Sequence, residues 1–182
     1  MNQNNKILII FGVLIVIGIG AFCLYQKSST EEYPDIFIQP GYKNISYQIE
    51  GQQVTLKNGV VETEIVPGSA SKSVTTYFGN EVFADFNEDG LQDVAFLLTQ
   101  NNGGSGTFYY VVAAIKTADG HLGTNAILLG DRIAPQTTEF SNGEIIVNYA
   151  DRKAGEAMTI QPSLGISRYF KVGEDELVEV LK

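Results

Sequence analysis

Short apolar runs separated by tight-turn signals fill the chain after about residue 41, and they restrict its fold more than any other feature. Asn58-Gly59 lies directly between two such runs, which is typical of a two-residue β-hairpin. Glu50-Gly51 and Ser141-Asn142-Gly143 give similar signals elsewhere. Because no segment in this region has a long helical period, the sequence predicts an all-β domain, built as an antiparallel sandwich or as a curled sheet.

The segments with strand composition are, in chain order, 45–49, 54–56, 61–66, 69–78, 94–99, 107–116, 126–129, 136–140, 144–149, 166–172 and 176–181. Segment 69–78 would also place Val74, Tyr77 and Phe78 on one face of a short helix, but its β-branched residues favour a strand. Segments 94–99 and 107–116 are continuously apolar, so we expect both at the centre of a sheet, buried on two faces. No unit repeats along the chain, which argues against a propeller or a solenoid.

One acidic stretch between two of these segments carries specific chemistry. In Asp85–Asp93 (DFNEDGLQD), side-chain oxygens stand at the first, third, fifth and ninth positions, and glycine stands at the sixth. This spacing is the first part of a calcium-binding loop, in which the chain curls around a hard cation that prefers oxygen ligands. The predicted ligands are the side chains of Asp85, Asn87, Asp89 and Asp93 and the backbone carbonyl of Leu91.

The flanks of this loop distinguish it from an EF-hand. Residues 82–84 and 94–96 have strand composition, and the twelfth position, Phe96, cannot supply a bidentate carboxylate. The alternative is an acidic turn without a metal. Magnesium suits an all-protein cage less well than calcium, and zinc is disfavoured because no His or Cys lies nearby. We therefore expect calcium, in a structural rather than a sensing role.

The N-terminal segment has the character of a membrane signal. Residues 7–25 are uncharged and nearly all apolar, and at ~1.5 Å per residue a helix of this length spans roughly 28 Å. Lys6 precedes the run and acids follow from Glu31 onward, which places the C-terminal part outside the cytoplasm. We expect a membrane anchor or signal segment over 1–27. An uncleaved transmembrane helix, cleavage near Ile19-Gly20-Ala21 and lipid attachment at Cys23 all remain open.

Residues 28–40 hold two prolines and lack a sustained period, as is typical of a linker, and 41–182 then form an extracytoplasmic β domain. Since Cys23 is the single cysteine, this domain has no disulfide. After Lys27 the chain carries 21 acids and 10 bases, a net charge of −11. That balance excludes nucleic acid as an expected partner, because no basic stripe is present to displace phosphate counterions.

The other candidates for chemistry are weaker, and no catalytic set emerges. We expect His121 to be a solvated loop residue in the turn 119–121, and the glycine-rich stretch 101–106 to be a hairpin loop rather than a phosphate-binding loop. Tyr109 and Tyr110 should face opposite sides of a strand. The pairs Asp131-Arg132 and Asp151-Arg152 have the composition for a polar cluster with Arg168, but surface ion pairing is the favoured interpretation.

Three stretches of the chain are distinctive: 85–100 (DFNEDGLQDVAFLLTQ), 103–110 (GGSGTFYY) and 128–132 (LLGDR). They resemble a group of uncharacterised bacterial exported proteins and lipoproteins, and the resemblance covers roughly residues 78–172. The acidic loop by itself is similar to the loops of FG-GAP and dockerin modules. The resemblance implies an envelope location and no particular activity. A lipobox would need a small residue where this chain has Phe22.

Three functions remain open on this basis. The first is a membrane-anchored extracytoplasmic domain that holds a structural calcium ion and binds an envelope or extracellular ligand without catalysis. The second is a hydrolase of cell-wall or carbohydrate substrates that uses acids such as Asp131 or Asp151; it requires two carboxylates that face each other across a cleft. The third is a calcium-dependent adhesin.

Overall fold

The computed structural model describes residues 41–66, 68, 70–174 and 176–182. The predicted anchor and linker, 1–27 and 28–40, lie outside the described residues, so both remain predictions. Among the described residues, no helix is long and apolar enough to cross a membrane.

The described part of the chain is all-β and antiparallel, as predicted. It begins with a 3₁₀ turn, Gly41–Lys43. Twelve strands follow: β1 Ser46–Ile49, β2 Gln52–Thr55, β3 Val60–Glu64, β4 Lys72–Ala84, β5 Asp93–Asn101, β6 Phe108–Thr117, β7 Gly120–Gly123, β8 Ile127–Asp131, β9 Ala134–Ser141, β10 Glu144–Asp151, β11 Leu164–Gly173 and β12 Glu176–Val180.

The strands form three sheets. The central sheet has the order β3-β4-β5-β6-β7, with β8 also paired to β6. The second sheet has the order β12-β11-β10-β9, and the third is the hairpin β1-β2. Each of these sheets is open, because its order ends in strands with one neighbour.

The two middle strands of the central sheet, β5 and β6, are buried on both faces. On β5, Ala95 and Leu97 point into an apolar cluster with Ile145 of β10 and Phe170 of β11. The alternate residues of β5, including Phe96, point into a second cluster with residues of the 3₁₀ turn and of the β1-β2 hairpin. The four-stranded sheet therefore packs on one face and the hairpin on the other, as in a sandwich with an added layer. This confirms the prediction that 94–99 and 107–116 are central strands.

Two-residue turns with left-handed backbone conformations join the predicted hairpins. Glu50-Gly51 has φ values of 50° and 78°, Asn58-Gly59 of 53° and 81°, and Asn142-Gly143 of 53° and 73°. Type I′ turns require positive φ at both positions, and glycine accepts this at no steric cost. The turn signals in the sequence thus located these hairpins correctly.

The structure corrects the expectation for His121 and resolves the ambiguity of segment 69–78. His121 lies in β7, paired opposite Lys116 of β6, and it is partly buried against the ring of Tyr42 rather than solvated in a turn. β7 escaped prediction because it is four residues long and half glycine, so only its pairing with β6 makes it a strand. In the ambiguous segment 69–78, residues 72–78 belong to a strand, and this strand, β4, continues to Ala84.

Candidate metal centre

The acidic loop connects two neighbouring strands of the central sheet. β4 ends at Ala84 and β5 begins at Asp93, with Ala84 and Asp93 opposite each other in the register. The strand character predicted for both flanks is therefore confirmed. The loop stands at one end of a strand pair whose other residues are fixed by the two apolar clusters.

Asp85 organises the first half of the loop. Its carboxylate accepts the backbone N–H of Asp89 at 3.1 Å and that of Gly90 at 2.8 Å. The chain can curl back in this way because Glu88 and Gly90 have φ values of 62° and 86°. Glycine at the sixth position of the loop suits the positive φ of Gly90, whereas no feature of the sequence indicates the positive φ of Glu88.

The side chain of Asp89 closes the second half. Its Oδ1 accepts the backbone N–H of Leu91 at 2.8 Å, and its Oδ2 accepts the amide N–H of Asn87 at 3.0 Å. The Oδ1 of Asn87 in turn accepts a hydrogen bond from the backbone N–H of Asp89 at 3.3 Å. Asn87, Asp89 and Leu91 are all exposed, so an ion from solvent can reach this side of the loop.

Asp93 differs from the other acids because it has no exposed surface. Its Oδ2 accepts the backbone N–H of Phe86 at 2.8 Å, and its Oδ1 accepts that of Lys116 at 2.7 Å. Burial raises the pKa of Asp93 above its ordinary value, and the negative charges of Asp89 and Asp85 raise it further, although the two hydrogen bonds oppose both effects. The charges of Asp85 and Asp89 thus lie close enough to Asp93 to disfavour its ionised form.

The donor set fits a hard cation in its chemistry. Each carboxylate oxygen that accepts one N–H keeps a second lone pair, so the hydrogen bonds orient Asp85, Asp89 and Asp93 without exhausting them. The geometry is less compact than a closed cage: among the described residues, no group of three or more His, Cys, Asp or Glu side chains is gathered closely enough to hold a metal ion by itself. A metal at this loop would therefore also need the amide, the carbonyl and water oxygens.

The acids considered for hydrolysis are engaged in other contacts. Asp131 pairs with the guanidinium of Arg132 at 2.9 Å and accepts the N–H of Thr107 at 2.8 Å. Burial would raise the pKa of Asp131, but these two hydrogen bonds outweigh it and lower the pKa. Asp151 accepts the backbone N–H of Arg152 at 2.7 Å. The expected ion pair is therefore present for Asp131.

Arg168 does not join those acids. It forms a two-point pair with Glu179, with both N–O distances at 2.6 Å, and its third nitrogen donates to the carbonyl of Leu128 at 2.6 Å. Hydrogen bonding to Arg168 lowers the pKa of Glu179. Arg168 thus ties β11 to β12 and β8, which is a structural role.

A polar and aromatic cluster next to the 3₁₀ turn was not predicted. The hydroxyls of Tyr42 and Tyr77 both donate to Oε1 of Glu81, the former at 2.9 Å. Lys43 lies 3.9 Å from the same oxygen and 3.7 Å from the ring centre of Tyr77. Burial and the bond to Glu81 raise the pKa of Tyr42 to about 12. No sequence spacing signals this cluster, because it joins the 3₁₀ turn to β4.

Tyr109 and Tyr110 face opposite sides of β6, as predicted. Tyr110 is buried, and its hydroxyl donates to Glu50 at 2.9 Å. Tyr109 is partly exposed and contacts the ring of Phe78 edge-on, with 5.3 Å between centroids.

Compared with protein-family models, with curated proteins and with solved structures, the chain gives no match. The resemblance to bacterial exported proteins therefore stays a prediction.

Proposed function

We propose that the loop Asp85–Asp93 binds one calcium ion and that this ion stabilises an extracytoplasmic binding domain anchored to a membrane. The ligands in this proposal are the side chains of Asp85, Asn87, Asp89 and Asp93 and the carbonyl of Leu91. One observation carries the proposal: three carboxylates share a single curled loop, where the charges of Asp85 and Asp89 add to the burial that raises the pKa of Asp93. A divalent cation would relieve this repulsion.

The position of the loop supports a structural role for the ion. Asp93 is bonded both to the start of the loop, through Phe86, and to β6, through Lys116. An ion held between Asp85 and Asp93 would therefore fasten the β4–β5 connection to the centre of the sheet. Binding to the folded state alone stabilises by mass action, by about 2.7 kcal/mol when the ion is at a hundred times its dissociation constant.

The proposed location rests on the apolar run 7–25 and its flanking charges. Its test is the membrane fraction of cells that express the full chain. We expect the protein to stay with the membranes through alkaline carbonate washing, and protease added outside the cytoplasmic membrane to cleave it. Recovery in the cytosolic fraction would contradict the proposed location without bearing on the calcium site.

The metal itself is tested by isothermal titration calorimetry of the full chain in detergent with calcium chloride. We expect one site per chain, no comparable heat with magnesium, and loss of the site in Asp85→Ala. Asp119→Ala is the matched control, since Asp119 is an exposed aspartate outside the loop. Absence of a calcium isotherm in the unsubstituted protein would contradict the proposal.

A further inference from the structure

The hairpin at Asn58-Gly59 opens after a single pair of residues. Lys57 and Val60 exchange both backbone hydrogen bonds, at 3.0 Å and 3.2 Å. The strands on either side then separate: β2 pairs with β1, and β3 pairs with β4. β2 and β3 are therefore both edge strands, and they diverge from a shared turn like the arms of a V.

The alternation of the ladder shows which groups of β3 face into this V. Gly59 accepts a bond from Tyr77, and Ile65 donates one to Ser71, so the odd-numbered residues of β3 bond towards β4. The even-numbered residues face the other way, and Val60 uses its outward groups on Lys57. Glu62 and Glu64 are the next two positions, and no described strand lies on their outward side.

A groove occupies the open end of the V. It has a volume of about 210 Å³ and is lined from β2 by Gln52 and Val54, and from β3 by Thr63 and Glu64. Its floor extends over the face of the central sheet to Ser73 of β4 and to Gln100 and Asn102 at the end of β5. Val54 belongs to the apolar cluster under the hairpin and forms an apolar wall. Beyond the groove the edge continues into Ile65 and Val66, which are 46% and 60% exposed. Exposed apolar side chains thus follow directly after the outward-facing backbone groups of Glu62 and Glu64.

The charge of the groove selects the kind of partner. Glu50 and Glu64 both line it, and none of its lining residues is a lysine or an arginine. The Glu50 carboxylate is held in place by the hydroxyl of Tyr110 at 2.9 Å, and that of Glu64 by the N–H of Gly68 at 2.8 Å. These are hydrogen bonds to neutral groups, so they hold both carboxylates in place without removing their charge. Among the described residues, the cation that acts on Glu64 is Lys72, which lies outside the lining of the groove and pairs with Glu62.

We propose that an extended peptide segment carrying basic side chains docks in this groove and adds a strand to the outward edge of β3. The backbone groups of Glu62 and Glu64 would continue the ladder that Lys57 begins at Val60, while Glu50 and Glu64 would receive the basic side chains. This deepens the proposed binding role, because it names the chemistry of the partner, and it is separate from the calcium loop.

The experiment uses the full chain in detergent and a six-residue peptide of alternating valine and lysine with blocked ends. Its control is the same peptide with glutamate in place of lysine. Binding is measured by fluorescence anisotropy of the labelled peptide, and the contact is mapped by NMR from the backbone amide shifts. We expect the lysine peptide to bind, the glutamate peptide not to bind, and the amides of Glu62 and Glu64 to shift most.

Two substitutions test separately the contribution of the β3 backbone and that of the groove's negative charge to peptide binding. Glu62→Pro removes an N–H on the outward edge of β3, a change that edge strands tolerate, and we expect it to weaken binding about tenfold or more relative to Glu62→Ala. Glu64→Lys should weaken binding to a similar degree, whereas Glu176→Lys, the same change at an exposed site in β12, should leave it unaltered.

Three outcomes would overturn the proposal: equal binding of both peptides, shifts confined to residues outside the groove, or binding insensitive to Glu62→Pro. Shifts at the groove with a chitin or glucan oligosaccharide but not with the lysine peptide would also overturn it and would assign the groove to a sugar. The same samples are melted with and without calcium, so a failure of peptide binding is distinguishable from a failure of the calcium site.

Discussion

Asp93 accepts the backbone N–H of Phe86 at 2.8 Å, so the last residue of the acidic loop is bonded to its second residue. The other oxygen of the same carboxylate accepts the N–H of Lys116, on the neighbouring strand β6. Asp93 therefore closes the loop and attaches it to the sheet before any ion is considered. A bound calcium ion, as proposed, would reinforce a connection that the protein already makes.

Asp93→Ala should lower the free energy of unfolding even in EDTA. The change leaves the N–H groups of Phe86 and Lys116 without their acceptor in a buried site, which costs about 2 kcal/mol or more. Urea unfolding in EDTA measures this loss, and Asp119→Ala, at an exposed turn, is the matched control. An Asp93→Ala protein as stable as the control would show that Asp93 does not hold the loop.

Gly123→Ala tests the packing of the β1-β2 hairpin on the central sheet. A Cβ at Gly123 would collide with the carbonyl oxygen of Ser46 and would lie 2.8 Å from the ring of Tyr47. We expect a loss of about 1–3 kcal/mol in the free energy of unfolding, because the hairpin has to move away from β7.

The matched control for this change is Gly165→Ala in β11, where a Cβ would meet no atom within 4 Å. Thermal and urea unfolding of the two variants give the comparison. Equal stability of Gly123→Ala and Gly165→Ala would contradict the close contact between β1 and β7.

The stability of the domain should fall as the pH drops through the titration range of His121. Burial lowers the pKa of His121 below its ordinary value of 6.5, and the charge of Lys116 lowers it further. The folded state thus favours the neutral imidazole, so its contribution is complete above pH 6.5 and is lost as the pH falls from there towards the folded-state pKa.

Urea unfolding between pH 5 and pH 8 measures this dependence, with His121→Phe as the comparison. Because His121 is the only histidine, the difference between the two curves reports on this side chain alone. A constant difference across the range, or an NMR titration that places the pKa of His121 at or above 6.5, would contradict the prediction.

The pair of Arg168 and Glu179 should stabilise the domain at neutral pH but not in acid. Hydrogen bonding to Arg168 lowers the pKa of Glu179 below its ordinary value of 4.5. This contribution is complete above about pH 4.5 and is lost as the pH falls through the lowered folded-state pKa.

Glu179→Gln should cost about 1 kcal/mol at pH 7, since the pair is partly exposed to solvent, and almost nothing at pH 2. Glu176→Gln, an exposed glutamate in the same strand, is the control. The measurement is urea unfolding at both pH values, and an equal cost at both would contradict the prediction.

The sequence identified the local elements well because each has a local cause. Asn58-Gly59 turns the chain through positive φ whatever surrounds it, and the continuous apolar runs at 94–99 and 107–116 can be satisfied only by burial on two faces. The sequence did not reveal which strands pair, because pairing depends on residues far apart in the chain. Nothing near Asn58-Gly59 predicts that β2 will leave β3 after one bridge, since the competing strands are β1 and β4.

The candidate site likewise has a part that the sequence predicted and a part that it did not. The oxygen side chains of Asp85, Asn87 and Asp89 were predicted because their spacing alone suggests a cation loop. The burial of Asp93 and its bond to Lys116 were not, because the bond spans 23 residues and exists only once β5 and β6 have paired. A ligand pattern in a sequence therefore predicts which oxygen atoms are available to a cation. The hydrogen bonds that hold those atoms in place form only when the sheet has folded.

The melting temperature of the full chain in calcium and in EDTA tests the central claim most directly. We expect 5 mM calcium chloride to raise the melting temperature of the unsubstituted protein by several degrees over EDTA, whereas Asp89→Ala should melt at the same temperature in both and Asp119→Ala should respond normally. Superimposable melting curves of the unsubstituted protein in calcium and in EDTA would contradict the claim that this loop holds a structural calcium ion.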